Sequence, residues 1–383
     1  MNNSINRLEN ALIVFQATSL CNLNCRYCYV PDRLNKAQMD LDLFREAVTK
    51  IFKSKLFEKK IKFLWHSGEP LAVGLDYYKK AVEIVNCLCP SDMKCTFEIQ
   101  TNATLITKEW VDFFKAHQFH VGVSIDGPAF LHDKNRRTWG NKPTHKKTLN
   151  GLRLIKEGGI NFGIICVLTE ESLDYPNEIF DFFYEEGVPS ISFNLEEKDG
   201  DNTNSTVFDH PSVQDMLKKY RAFMEKIYER WEGVNRSIEF REIARIRKAV
   251  NRMLKDPSYF TLSQEIRPFA IISIARNGDI SLFSPELIGG VPEDRRKFIV
   301  ANIRDINFIE EISQLPKFHE IHDPIQQGLE LCATTCQYFG LCGGGSPSNK
   351  YAENGTFASS ETKYCNFQQK LLTDIYIEKM SNK

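Results

Sequence analysis

The chain has 383 residues, 42% of them hydrophobic, which allows a sizeable core and roughly two to three domains. Lysine plus arginine (49) nearly balance aspartate plus glutamate (50), so no basic surface advertises nucleic acid and no charge bias advertises a membrane. No apolar run reaches transmembrane length, and ALIVF at 11–15 is too short for a signal core, so a cytoplasmic protein is expected.

Six short β-rich runs alternate with amphipathic stretches through the first half. The first, ALIVFQAT (11–18), leads into SLCNLNCRYCYV, where Cys21, Cys25 and Cys28 form a C-x3-C-x2-C run. LDLFREAVTKIF then sets Leu41, Phe44, Val48 and Ile51 at three- and four-residue steps, the period of a helix. The lysine-rich KSKLFEKKIK (53–62) reads as a solvated helix end and the approach to strand two, KFLWH (62–66), which runs into HSGEP (66–70). CLCPSDMKC places Cys87, Cys89 and Cys95 at a helix end before strand three, where they read as packing thiols. Strand three, TFEIQT (96–101), ends in QTNA, and strand four, HVGVSID (120–126), ends in SIDGP. Strand five, NFGIICVL (161–168), carries Cys166 at a core position and ends in VLTE; strand six, SISFNL (190–195), ends in NLEE.

Strands alternating with helices imply right-handed βαβ units and a parallel sheet. No dinucleotide glycine fingerprint follows strand one. Six repeats therefore fit an α/β fold of the partial (β/α)6 TIM-like barrel kind, residues 1–200, better than a doubly wound sheet. Every polar motif falls at a strand's carboxyl end, the face on which barrels carry their active sites.

The polar DGDNTNSTVFDH (199–210) ends this pattern and opens a helical linker region, 201–264. Leu217, Tyr220, Met224, Ile227 and Trp231 form the apolar stripe of its first helix, and a second helix follows. From about 265 to 383 the chain turns irregular, with a helix expected at its end. That region holds Cys332-x3-Cys336-x5-Cys342 and the later Cys365.

Eleven cysteines, an odd count in a large intracellular chain, point to metal or redox work rather than a disulfide framework. Three thiolates at 21–28 can hold a four-iron cluster with one iron left open; zinc would want a fourth ligand nearby. The four thiolates at 332–365 can close a complete four-iron cluster, and such a set also suits structural zinc.

CNLNCRYC, with its aromatic Tyr27, resembles the cluster motif of radical S-adenosylmethionine enzymes, and the resemblance continues through SGEP, QTN and SIDGPAFLHDKNRR. It implies a [4Fe–4S] cluster on Cys21, Cys25 and Cys28 whose open iron binds S-adenosylmethionine and releases a 5′-deoxyadenosyl radical on reduction. It further implies that Glu69 accepts from the methionine amine and that Ser67 and Gly68 let the backbone approach. Ser67 stands where the family usually has glycine. Ser124 and Arg136 would take the carboxylate, Gln100 and Asn102 the cluster or ribose, and Tyr27 the adenine, with Leu168 a further cofactor-binding residue. The late cysteines, with CGGGSPSNK, resemble the SPASM-type extension of peptide-modifying radical enzymes. SIARNGDISLFSPELIGG lacks the cysteines of a second set, so one auxiliary [4Fe–4S] cluster is expected, on Cys332, Cys336, Cys342 and Cys365.

The closest subgroup by these motifs matures glycine-rich-repeat peptides by aromatic cross-linking. The resemblance thus implies an oxidoreductase that joins an aromatic side chain to a nearby Cβ in a precursor peptide, served by a reductase as electron donor. Asn194, Glu196 and Glu197 are candidates for substrate contact or proton removal. About ten residues precede strand one, so leader recognition is expected to use the existing surface or another protein. The first alternative is formylglycine formation of the anaerobic sulfatase-maturating type; the second is a non-catalytic iron–sulfur or zinc protein.

Overall fold

The computed structural model describes residues 7–256, 258–260 and 262–381. In chain order the first part contains β1 (Leu8–Gln16), α1 (Leu41–Lys53), β2 (Phe57–Trp65), α2 (Leu75–Leu88), β3 (Lys94–Thr101), α3 (Lys108–Ala116) and β4 (His120–Ser124). It continues with α4 (Ala129–Asn135), α5 (His145–Glu157), β5 (Asn161–Leu168), α6 (Pro176–Glu185) and β6 (Ser190–Leu195). The six expected strands are therefore present, and they pair in sequence order, each parallel to the next. The fold is mixed α/β around a parallel sheet.

Strand β1 is buried on both faces from Ile13 to Phe15, as expected for a central strand covered on each side. Helix α1 turns Phe44, Val48 and Ile51 into the core, joined by Leu43 and Ala47, and Asp40 caps it by accepting from the Leu43 N–H at 2.7 Å. Phe15 packs its ring within 6.4 Å of those of Phe44, Phe63 and Trp65, and Phe44 lies 6.2 Å from Trp65. Aromatic packing of this kind makes the strands a rigid platform for the loops at their ends.

The expected linker helices are α7 (Val213–Gly233) and α8 (Arg241–Lys255), separated by the two-residue β7 (Glu239–Phe240). Tyr220, Met224, Ile227 and Trp231 are buried as the stripe predicts. Beyond 265 the chain is more regular than its composition suggests. β8 (Ile271–Ala275) pairs parallel to β1, and β9 (Asp279–Leu282) and β10 (Ala301–Asn302) extend the sheet antiparallel, giving ten strands in one sheet. Gly, Asn and Ser mask these strands in the sequence because they sit in the tight turns between them. Helices α9 (Pro316–Thr335), α10 (Phe339–Cys342) and α11 (Pro347–Asn354) follow, and a π-helical turn, Asn366–Leu371, leads into the last helix, Leu372–Ser381. Gln368 in that turn donates to the Phe193 carbonyl of β6 at 2.8 Å, fastening the C-terminal segment to the sheet. Among the described residues no helix is long and apolar enough to cross a membrane.

Candidate functional site

One cavity of about 290 Å³ opens at the carboxyl ends of the strands. Its wall includes Cys21, Cys25, Tyr27 and Cys28 from the loop after β1, Ser67 and Gly68 after β2, and Gln100 and Asn102 at the end of β3. Ser124, Arg136, Asn194, Glu196 and Glu197 complete the set that the sequence singled out. Residues separated by up to 176 positions thus meet because parallel strands deliver all their carboxyl ends to one face.

The loops are tied to one another by polar contacts. Gly68 has φ +59°, and a Cβ there would lie 2.6 Å from the Leu20 carbonyl oxygen, which accepts the Glu69 N–H at 2.7 Å. The SGEP turn can therefore press against the cysteine loop only with glycine at 68. Ser67 adopts φ +81°, a left-handed conformation suited to glycine. Asn102 Nδ2 donates to Asn22 Oδ1 at 2.9 Å and approaches Cys21 Sγ at 3.9 Å. Gln100 donates to Ser124 Oγ at 2.9 Å, lying flat across Gly122, where a Cβ would fall 1.9 Å from the amide oxygen. The glycine inside HVGVS was the sequence signal for that close approach.

Glu69 does not reach the cavity wall. It is fully buried, with its carboxylate accepting from Thr101 Oγ1 at 2.7 Å, the Asn102 N–H at 2.8 Å and the Leu71 N–H at 3.0 Å. Burial pushes its pKa up to about 7, against these three donors. The side chain clamps the end of β3 to the SGEP turn instead of standing free for a ligand. Leu168 also lies away from the cavity: strand alternation turns Ile165 and Val167 to the wall and Leu168 into the core. Its carbonyl accepts the Glu196 N–H at 2.8 Å.

Asp126, inside SIDGP, was not among the expected site residues, yet it holds two of them in place. It is 1% exposed and accepts from Arg136 Nε at 3.0 Å, from the Tyr27 hydroxyl and from the Val167 N–H at 3.1 Å. Arg136 also lies over the Tyr27 ring, 5.4 Å from its centre. The nearby Asp126 carboxylate holds the Arg136 guanidinium well above its usual range despite burial, so it stays charged at the wall.

The far wall is acidic. Burial pushes Glu197 up to about 8, Asp199 to about 7 and Glu286 well above the usual carboxylate range. Asp199 and Glu286 lie in segments noted in the sequence, DGDNTNSTVFDH and SPELIGG, but were not among the expected site residues. Glu196, by contrast, is 4% exposed and already satisfied by the Thr206 N–H and hydroxyl, with Arg26 at 3.6 Å. Glu197 is the freer of the pair; its one hydrogen bond is from Asn349 Nδ2 at 2.5 Å.

The second cysteine set is gathered as well. Cys332, Cys336, Cys342 and Cys365 line one small cavity with Lys350, Tyr364 and Gln369. Lys350, 5% exposed, extends its ammonium to 3.3 Å from Cys332 Sγ and 3.0 Å from the Gly328 carbonyl. The Gly344 N–H points at Cys342 Sγ and the Thr362 N–H at Cys365 Sγ, both at 3.4 Å. Gly343, Gly344 and Gly345 all have positive φ, the tight turn their run implies. A buried ammonium and inward N–H groups suit a negatively charged thiolate cluster. A third cavity, about 180 Å³, shares Asn194, Glu197 and Glu286 with the first and Cys342, Tyr364 and Gln369 with the second.

Each cysteine set is gathered around one cavity, a grouping that an iron–sulfur cluster or, for the late four, structural zinc would use. Among the described residues, the one His, Cys, Asp or Glu trio with ligating atoms within 4.8 Å of one another is His319, His322 and Asp323. One zinc with bonds of about 2.3 Å would draw its sulfurs to within roughly 4 Å. The first cavity also fits a polar ligand. His66 Nδ1 and Tyr29 Oη on its wall are buried without a hydrogen-bond partner, and burial pushes His66 down to about 4, keeping it neutral.

Comparisons with known proteins agree with this geometry. The profile of the radical SAM superfamily matches residues 15–183. The uncharacterized protein sll1766 of Synechocystis sp. is 38% identical over 370 residues, 96% of this chain and 91% of that one. The serine-type anaerobic sulfatase-maturating enzyme of Bacteroides thetaiotaomicron is 33% identical over 189 residues, and the alignment spans only 46% of this chain and 43% of that enzyme. Among solved structures, native anSMEcpe with bound AdoMet and Cp18Cys peptide superposes with a TM-score of 0.77 at 22% identity, covering 97% of this chain and 98% of that one. Streptococcus suis SuiB bound to precursor peptide SuiA gives 0.62 at 16% identity, covering 96% and 76%. At these identities the two structures bear on the fold.

Proposed function

This chain belongs to the radical SAM superfamily, and we propose that it is a peptide maturase that forms a carbon–carbon cross-link between an aromatic side chain and a nearby Cβ of a ribosomally made precursor. The observation that carries this reading is that the cavity of Cys21, Cys25 and Cys28 and that of Cys332, Cys336, Cys342 and Cys365 each share lining residues with one cavity lying between them, which Glu197 lines together with the first. When bound, S-adenosylmethionine and two [4Fe–4S] clusters supply a 5′-deoxyadenosyl radical and an electron acceptor.

The chain's own residues do the rest. Ser124 and Arg136 orient the methionine carboxylate, Arg136 as a charged donor fixed by Asp126. Tyr29 and His66 offer the unpaired polar atoms that a bound ligand completes. Cross-linking removes two hydrogens from the peptide, one as an atom and one as a proton. Glu197 is the residue we assign to receive the proton, because it lines the first cavity and burial pushes its pKa to about 8, near working pH. Two superposed neighbours hold peptides, Cp18Cys and SuiA, which supports a peptide substrate here.

Formylglycine formation is the second reading, favoured by the similarity to the sulfatase-maturating enzyme. That similarity covers under half the chain, and the same residues would serve either reaction. Mass spectrometry of a precursor incubation separates them. Both oxidations can remove two hydrogens, but a cross-link blocks fragmentation across the joined residues, and recovery of a formyl group would overturn the proposal. Reduced wild-type protein with S-adenosylmethionine is expected to yield 5′-deoxyadenosine. Cys25→Ala is expected to abolish it, whereas Cys336→Ala should spare it and lose the cross-link.

A further inference from the structure

Four cysteines remain outside both cysteine-lined cavities: Cys166, buried in β5, and Cys87, Cys89 and Cys95. Cys89 caps the carboxyl end of α2, and Cys95 is the second residue of β3. The turn between them is closed by the Met93 N–H donating to the Pro90 carbonyl at 3.1 Å. It brings Cys89 Sγ to 2.8 Å from Cys95 Sγ. That is closer than two sulfurs rest without bonding and within an ångström of the roughly 2.05 Å of a disulfide. The Cys89 thiol also points at the Met93 and Pro90 carbonyls, at 3.4 and 3.6 Å, which holds it inside the turn. Cys87 is exposed and lies two residues earlier on the helix, a spacing that faces it away from Cys89.

This pair stands at the amino end of β3, whereas Gln100 and Asn102 meet the cysteine loop at its carboxyl end, roughly 15–20 Å along the strand. It is thus separate from the cluster chemistry, and both sulfurs are half-buried rather than sealed in the core. Cys89 and Cys95 are already arranged for a bond that needs little backbone movement.

We infer that Cys89 and Cys95 form a thiol–disulfide exchange site that accepts a low-molecular-weight disulfide. One thiolate attacks the external disulfide, making a mixed disulfide and releasing one small thiol. The second thiolate then displaces the other small thiol, and the Cys89–Cys95 bond forms. The protein loses two electrons and two protons, and the external disulfide becomes two thiols.

The test uses the full-length, cluster-loaded protein, incubated anaerobically with either dithiothreitol or oxidised glutathione, alkylated and digested with trypsin without reduction. Cleavage after Lys80, Lys94 and Lys108 puts Cys89 and Cys95 in different peptides. The oxidised sample should contain 81–94 linked to 95–108, with Cys87 alkylated, and the reduced sample should lack that species. Cys95→Ser should keep glutathione on Cys89 as a stable mixed disulfide, with iron content unchanged. The inference is overturned if the link uses Cys87, if both thiols are recovered alkylated after oxidised glutathione, or if Cys95→Ser lowers iron, which would make these residues cluster ligands.

Discussion

Arg136 Nε donates to Asp126 Oδ2 at 3.0 Å, and both side chains are almost wholly removed from solvent. Asp126 also receives the Tyr27 hydroxyl, so one carboxylate fixes two residues of the cavity wall. Asp126→Asn leaves a buried guanidinium without its counter-charge. Its unfolding free energy is expected to fall by about 3–5 kcal/mol in chemical denaturation. Adding Arg136→Met should recover much of that loss, because no lone charge then remains buried, while S-adenosylmethionine binding should stay weak. A loss too small to measure in the single variant would show that the pair is not a structural unit.

Glu197 should make both stability and activity depend on pH. Its usual pKa is 4.5 and burial raises it to about 8. Between those values the folded protein binds more protons than the unfolded chain, so stability falls as pH rises from about 4.5 to 8, by up to about 1.4 kcal/mol per pH unit for this one group. Glu197→Gln should flatten part of that slope and be more stable than wild type at pH 8. The cross-linking rate should rise toward pH 8 in wild type as the carboxylate forms, and drop by about 100-fold or more in the variant. An unchanged rate would remove Glu197 from the proton transfer.

Ser67 and Gly68 share left-handed backbone but should respond in opposite ways. Ser67→Gly relieves the strain of φ +81° and should raise stability by about 1 kcal/mol with iron content unchanged. Gly68→Ala puts a methyl 2.6 Å from the Leu20 carbonyl and should displace the cysteine loop. Loss of about half the iron, read by metal analysis, is the expected outcome. Full iron retention in Gly68→Ala would mean the loop can yield.

Lys350 sets the charge beside the late cysteines. With two clusters the protein should hold about eight irons. Lys350→Met keeps the length of the side chain but removes the ammonium 3.3 Å from Cys332 Sγ. Iron should fall toward about four, and 5′-deoxyadenosine formation should persist. Zinc in place of iron in wild type would overturn the cluster assignment for this set.

Much of this architecture was readable from local pattern. The alternation of apolar runs with helical stripes follows from backbone geometry within a few residues, and it located all six strands of the parallel sheet. The motifs at their ends were legible for the same reason: CNLNCRYC, SGEP, QTN and SIDGP each sit where a strand stops. β8 to β10 were harder, because their residues lie among turn-forming Gly, Asn and Ser, and β8 joins β1 from more than 250 positions away.

The amino-acid order sets which residues can ligate and which strand ends present them, since cysteine spacing and strand period are short-range properties. Packing settles what those residues face. Glu69 is drawn under β3 by Thr101 and Asn102, Leu168 is turned into the core by alternation, and Asp126 is brought to Arg136 and Tyr27 together. The contact of Glu197 with Asn349 spans 152 positions and brings the C-terminal segment to the wall of the first cavity. Its existence depends on how the C-terminal segment docks on β6, a sum of many long-range contacts that no local pattern encodes.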